Sequence, residues 1–147
     1  MNLRDWGWDD DWAAAFAPHA AEGLQPARVV RQDRGACEIQ METGARSAEP
    51  TGRFRYAVDA GEADMPAVGD WTAIDPRPTC DRAGIAAVLP RRTCLARQDA
   101  GRATRAQTLA ANVDVAFLVG ALDAGRGFSL ARLERALALV RAGGAEA

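Results

Sequence analysis

The alternation of apolar and polar positions changes character twice along the chain. Near the start, Trp8, Trp12 and Phe16 recur at i, i+4 and i+8, the spacing that lines one face of a helix. Asp9, Asp10 or Asp11 can cap that helix and suit its positive end, and Pro18 is expected to end it. From Ala27 the pattern turns to short strand-like runs punctuated by turn residues. Ala27–Asp33 and Ala36–Glu42 read as strands joined by a tight turn at Arg34-Gly35. Thr51–Val58 reads as a third, alternating Arg53 and Arg55 on one face with Phe54 and Tyr56 between them. Gly61–Pro66 is a loop. Val68–Asp75 then sets Val68, Asp70, Thr72 and Ile74 on one face and Gly69, Trp71 and Ala73 on the other. Pro76, Pro78 and Asp81 separate it from Ala83–Leu89. Five short strands in about 65 residues suit an OB-type barrel better than a sandwich, which usually needs about seven.

The second change comes after Pro90. Residues 93–111 are polar and arginine-rich and read as a linker or flexible loop. Val113–Leu122 is nearly continuous apolar sequence, the texture of a strand buried on both faces of a parallel sheet. Ser129 is placed to cap a helix, Leu130–Ala142, with Leu130, Leu133, Leu137 and Val140 as its stripe and Gly143-Gly144 at its end. The expected class is mainly β. A short helical leader (1–26) precedes a five-stranded OB-fold barrel (27–92), an Arg-rich linker (93–112) and an incomplete α/β strand–helix unit (113–147) that still needs a partner strand.

Composition narrows the chemistry. The chain has 147 residues, 18 basic and 20 acidic side chains and one histidine. Every basic side chain is arginine. A Walker-type phosphate loop requires a lysine, so none can be written here. His19 is the sole partner for any Ser-His or Cys-His pair, and in PHAAEG it reads as a solvated helix-end residue. Cys37, Cys80 and Cys94 form neither a C-x-x-C pair nor an even disulfide set, which fits a reducing compartment and the cytoplasm. The start of the chain has no apolar signal segment, and no run approaches the ~20 residues that span a bilayer. No membrane partner is expected.

Charge is unevenly laid out. Residues 1–27 carry Asp5, Asp9, Asp10, Asp11 and Glu22 against Arg4. Residues 77–105 carry Arg77, Arg82, Arg91, Arg92, Arg97, Arg102 and Arg105 against Asp81 and Asp99. Such asymmetry marks either a polyanion-binding segment or a solvated linker. Cations interleaved with aromatics on a barrel strand are what single-stranded nucleic acid needs, charge for phosphates and π-faces for bases. Candidate contacts are Arg34, Arg53, Arg55, Arg91, Arg92, Arg97, Arg102 and Arg105, with Tyr56 and Trp71 as stacking groups. An ordinary half-buried strand with a solvated polar face accounts for Thr51–Val58 equally well. The early tryptophans fit core packing better than a stacking platform.

The order of motifs carries a resemblance. LRDWGWDDDW, ARVVRQDRG, PAVGDWTAI, IAAVLPRRTCLARQDAG and QTLAANVDVAFLV resemble, in sequence and spacing, the ribosome small-subunit-dependent GTPases (the RsgA/YjeQ family) over nearly the whole chain. The resemblance implies an N-terminal OB domain matched by residues 28–90, a circularly permuted GTPase domain opening at residues 113–142, and a zinc-binding C-terminal region. It implies action late in maturation of the small (30S) ribosomal subunit, with rRNA as the barrel's partner. GTP with magnesium, and zinc, are the family's cofactors. The N-K-x-D motif, phosphate loop, magnesium motifs and zinc ligands are expected beyond Ala147, so this chain alone is expected to hold no nucleotide or metal and to be inactive. The alternative is a protein-interaction module without nucleotide chemistry, with self-association through residues 113–147.

Overall fold

The computed structural model describes residues 2–33, 35–76, 82–98, 106–120 and 129–147, in two units, Met1–Pro90 and Arg91–Ala147. The first unit holds the barrel. Helix α1 (Asp10–Ala21) is capped by Asp9, whose carboxylate accepts the Trp12 N–H at 2.9 Å. Pro18 does not end it. Proline forfeits one amide donor, and the helix closes a turn later before Gly23, at φ +78°. Strand β1 (Gln25–Asp33) pairs antiparallel with β2 (Ala36–Met41), and β2 with β3 (Gly44–Pro50). Strand β4 (Trp71–Asp75) pairs with β1 and with β5 (Ala83–Val88), while β5 closes onto β3 in parallel. The order β1-β2-β3-β5-β4 forms a closed barrel, the expected five-stranded OB topology.

One strand differs from expectation. Thr51–Val58 is not a strand; Gly52–Ala60 forms helix α2. Thr51 accepts the Phe54 N–H at 3.2 Å, Gly61 ends the helix at φ +82°, and Phe54 and Val58, one turn apart, enter the barrel core. The alternation of Arg and aromatic residues satisfies both periods over so short a window, and capping decides for the helix. The missing strand is β3, GARSAEP. It contains no β-branched residue, so it shows little strand propensity; its pairing with β2 and the burial of Ala48 place it.

Two apolar clusters result. Inside the barrel lie Val29, Cys37, Ile39, Met41, Ile74 and Ile85, together with Phe54 and Val58. On the outer face of β4, Trp71, Ala73 and Leu89 pack with Leu3, Trp12 and Phe16. Trp71 is 1% exposed. Trp8 meets it edge-on at 4.7 Å between ring centroids, and the Arg28 guanidinium lies 5.5 Å from the centre of its ring. The early tryptophans are therefore core, as their spacing indicates.

In the second unit, residues 93–111 are not a linker. Strands β6 (Cys94–Gln98) and β7 (Ala106–Ala111) form an antiparallel hairpin. The expected buried strand Val113–Leu122 does not form among the described residues. Val115 makes a single bridge to Glu146, residues 116–120 have no ladder, and Phe117 and Val119 are 88% and 93% exposed. A run that apolar has strand texture, but a ladder needs a neighbour. Helix α3 (Leu130–Ala142) forms as expected, although Ser129 makes no side-chain cap. Its stripe is only partly covered, with Val140 buried and Leu130 and Leu133 exposed. Gly143 lies so close to β6 that a Cβ would come within 2.7 Å of the Cys94 carbonyl oxygen. Among the described residues no helix is long and apolar enough to cross a membrane.

Two measurements check the clusters. Trp71→Ala is expected to cost about 3–5 kcal/mol in urea unfolding, and a loss under 1 kcal/mol would contradict the two-sided packing of β4. Burial, with Asp70 adding to it, pushes the Cys37 thiol up from its ordinary range. Its alkylation in the native chain should therefore need higher pH than in the unfolded chain. Between the two thiol values the unfolded chain holds fewer protons, so stability should fall as pH rises through that alkaline window.

Candidate nucleic-acid interface

Helix α2 brings together exposed basic and aromatic side chains. Burial of Phe54 and Val58 turns Arg53, Arg55 and Tyr56 outward. Arg53 and Tyr56 are three apart, hence neighbours on the helix surface. Tyr56 is the chain's only tyrosine and is 76% exposed, so its ring offers a face to a flat ligand. Arg55 is more constrained. Its Nε donates to the Pro50 carbonyl at 3.1 Å, and its Nη2 lies 3.8 Å from Glu49 Oε2. Arg82 reaches the same oxygen at 3.5 Å. Sequence reasoning set Arg82 only among the charges of its segment, because its approach to Glu49 depends on the parallel pairing of β3 and β5, which lies between residues more than thirty positions apart.

Trp71 leaves the list of stacking candidates. It is sealed beneath α1 and has no face open to a base. The motif around it is architectural. Gly69 adopts φ +92°, and the buried Asp70 carboxylate accepts the Ala67 N–H at 2.8 Å, bending the chain so that Trp71 enters β4.

In the second unit, Arg91 and Arg97 belong to the hairpin rather than to a free linker. Arg91 donates to the Thr108 hydroxyl and Arg97 to the Gln107 side chain, each at 3.3 Å. Arg92 is exposed, and its amide donates to Asn112 Oδ1 at 2.9 Å. The two motif pieces at either end of the hairpin interlock. Thr93 Oγ1 accepts the Val113 N–H at 2.7 Å and donates to the Val113 carbonyl at 2.8 Å, and the Asn112 N–H donates to the Thr93 carbonyl. Asn112 holds φ +54°, a left-handed conformation that asparagine tolerates. Arg34, Arg102 and Arg105, also candidates, lie outside the described residues.

What can this arrangement do? Its exposed guanidinium groups offer charge suited to a phosphate, and the phenol ring of Tyr56 a face suited to a base. Among the described residues no three His, Cys, Asp or Glu side chains converge as metal ligands would.

No protein-family model matches the chain. It is 45% identical over 154 residues to the small ribosomal subunit biogenesis GTPase RsgA of Opitutus terrae, covering 99% of this chain and 41% of that protein. To the protein of the same name from Streptomyces coelicolor it is 40% identical over 144 residues, covering 98% and 37%. The chain thus spans about two fifths of the length of these relatives. Among solved structures it is similar to YjeQ from Thermotoga maritima, with a TM-score of 0.57 and 23% identity over 84% of this chain and 39% of that one. YloQ, described as a circularly permuted GTPase, gives a TM-score of 0.54 at 21% identity, over 84% of this chain and 38% of that one. These two likenesses speak for the fold alone.

The Thr93 lock yields a test. Thr93→Val removes a half-buried donor–acceptor pair and is expected to destabilise the hairpin unit by about 1–2 kcal/mol. Hydrogen exchange of β6 and β7 amides should then accelerate, and unchanged exchange would show that the lock is not needed.

Proposed function

This chain belongs to the RsgA/YjeQ family, and from that premise we propose that its barrel serves a small ribosomal subunit biogenesis factor as an rRNA-binding module. The observation that carries the reading is the 45% identity, across 99% of the chain, to a protein of that name. The exposed Arg53, Arg55 and Tyr56 on α2 support it, since cations and a free ring on a barrel suit RNA. Arg91, Arg92 and Arg97 add positive charge on the second unit, and Arg34, Arg102 and Arg105 remain candidates on the same chemical grounds. A cytoplasmic location goes with that proposal, and the free thiols of Cys37 and Cys94 support it.

The relatives are named GTPases, and GTP hydrolysis with magnesium is the proposed activity of the whole protein. These residues do not fit that group, having no lysine for a phosphate loop. Nor do they fit zinc, for want of a converging ligand set among the described residues. Residues 113–147 are proposed to be the opening of the GTPase domain.

A second reading concerns self-association. Phe117, Leu118, Leu130, Leu133 and Leu137 line an open apolar groove in the second unit. Exposed apolar surface beside an unpaired extended segment favours association.

Sedimentation with small ribosomal subunits tests the first reading. If six arginines each neutralise a phosphate, log K should fall with log salt at a slope of roughly −4 to −5. Binding indifferent to salt between about 50 and 300 mM would overturn the reading. Replacing Arg53 and Tyr56 together with alanine should weaken binding by about 10-fold or more. For the second reading, sedimentation velocity should show concentration-dependent association that Phe117→Ser abolishes, and a monomer at all concentrations would exclude it.

A further inference from the structure

We infer that Arg55 and Arg82 form a phosphate-binding subsite on the barrel rim, and that Glu49 is an internal anion occupying it and setting its affinity. The inference rests on the RNA-binding reading and names one place where a backbone phosphate would sit.

Three elements converge there. Glu49 lies near the end of β3, Arg55 on α2, and Arg82 just ahead of β5. One oxygen, Glu49 Oε2, faces both guanidinium groups, at 3.8 and 3.5 Å. The cluster is anchored rather than accidental. Arg55 Nε is tied to the Pro50 carbonyl, and Glu49 is in register with Gly84 of β5. A Cβ at Gly84 would come within 2.9 Å of the Thr51 methyl carbon. Only a residue without a side chain lets β5 lie that close to the helix cap, and this closeness brings Arg82 to Glu49.

Charge and geometry favour exchange of the carboxylate for a phosphodiester. Two guanidinium groups share one oxygen of the Glu49 carboxylate. The separations exceed the ~2.7–2.9 Å of close charge-assisted hydrogen bonds, so one carboxylate oxygen shared by two cations satisfies neither. A phosphodiester has two non-bridging oxygens and can give one to each guanidinium, the planar recognition for which arginine is suited. All three side chains are between 40% and 53% exposed, so the internal pairs are weak and open to competition from solvent.

Glu49→Gln keeps the shape and removes the competing charge. In the full 147-residue chain it should tighten binding to small ribosomal subunits about 3- to 10-fold at ~100 mM salt and steepen the salt slope. Arg82→Gln should weaken binding, and in the Glu49→Gln background it should erase the gain. A second readout follows the Arg55 and Arg82 Nε–Hε resonances during titration with inorganic phosphate at constant ionic strength. Shifts larger in Glu49→Gln than in the native chain are expected. If subunits bind but Glu49→Gln leaves affinity unchanged or lowers it, the subsite is wrong and the RNA-binding reading stands. If no variant binds subunits, that reading fails and the phosphate titration decides alone. Arginine shifts enhanced by Glu49→Gln would then uphold the subsite, and their absence would overturn it.

Discussion

The first unit depends on one constraint: β4 must be buried on both faces. Its inner face, Thr72 and Ile74, fills the barrel, and the Thr72 hydroxyl donates to the Ala27 carbonyl so that no polar atom is stranded. Its outer face, Trp71 and Ala73, would be an exposed apolar strip without the leader. A barrel of this size buries only about 60% of its unfolded surface, so a fully covered tryptophan is a large part of what holds it. Arg28 completes the arrangement by stacking on Trp71 and donating to the Trp6 carbonyl. The leader is thus part of the barrel's packing. Asp9 caps α1 and Asp10 and Asp11 lie in its first turn, where negative charge suits the helix dipole.

Much of this was legible in the residues. The barrel class, the aromatic packing of the leader and helix α3 follow from periodicity and capping chemistry, while the turns expected at Arg34 and at Pro78 and Asp81 lie outside the described residues. The failures share a cause. Strand β3 has weak intrinsic propensity and exists through its register with β2, a long-range term that no local window contains. Once it was missed, Thr51–Val58 was needed as the third strand, and the cap at Thr51 and stop at Gly61 were passed over. Arginine density in residues 93–111 suggests a solvated linker, yet Arg97 sits on a hairpin strand, and Thr93 and Asn112 bond across the hairpin's ends. The site suffered accordingly. Arg53 and Arg55 are exposed as expected but on a helix, and Tyr56 is exposed with them rather than on an opposite strand face. Trp71 is buried, and the Arg82–Glu49 approach is visible only in three dimensions.

The motifs that make the chain recognisable are mostly structural. Gly69 and Asp70 bend the chain into β4, Trp71 holds the leader, and Thr93 with Asn112 locks the hairpin. Likeness in these residues therefore transmits the architecture rather than the chemistry. On the proposed RNA-binding reading, affinity for a polyanion would come from guanidinium groups the fold leaves in water, on α2, around Glu49 and at Arg92. There the electrostatics are governed by competition. An exposed ion pair contributes less than about 1 kcal/mol, whereas a polyanion offers many phosphates and releases counterions as it binds. Arginines paired with single carboxylates are thus available to RNA in a way that Arg28, committed to Trp71 and Trp6, is not. On the proposed reading, the surface left to bind RNA is the one the fold has not already used.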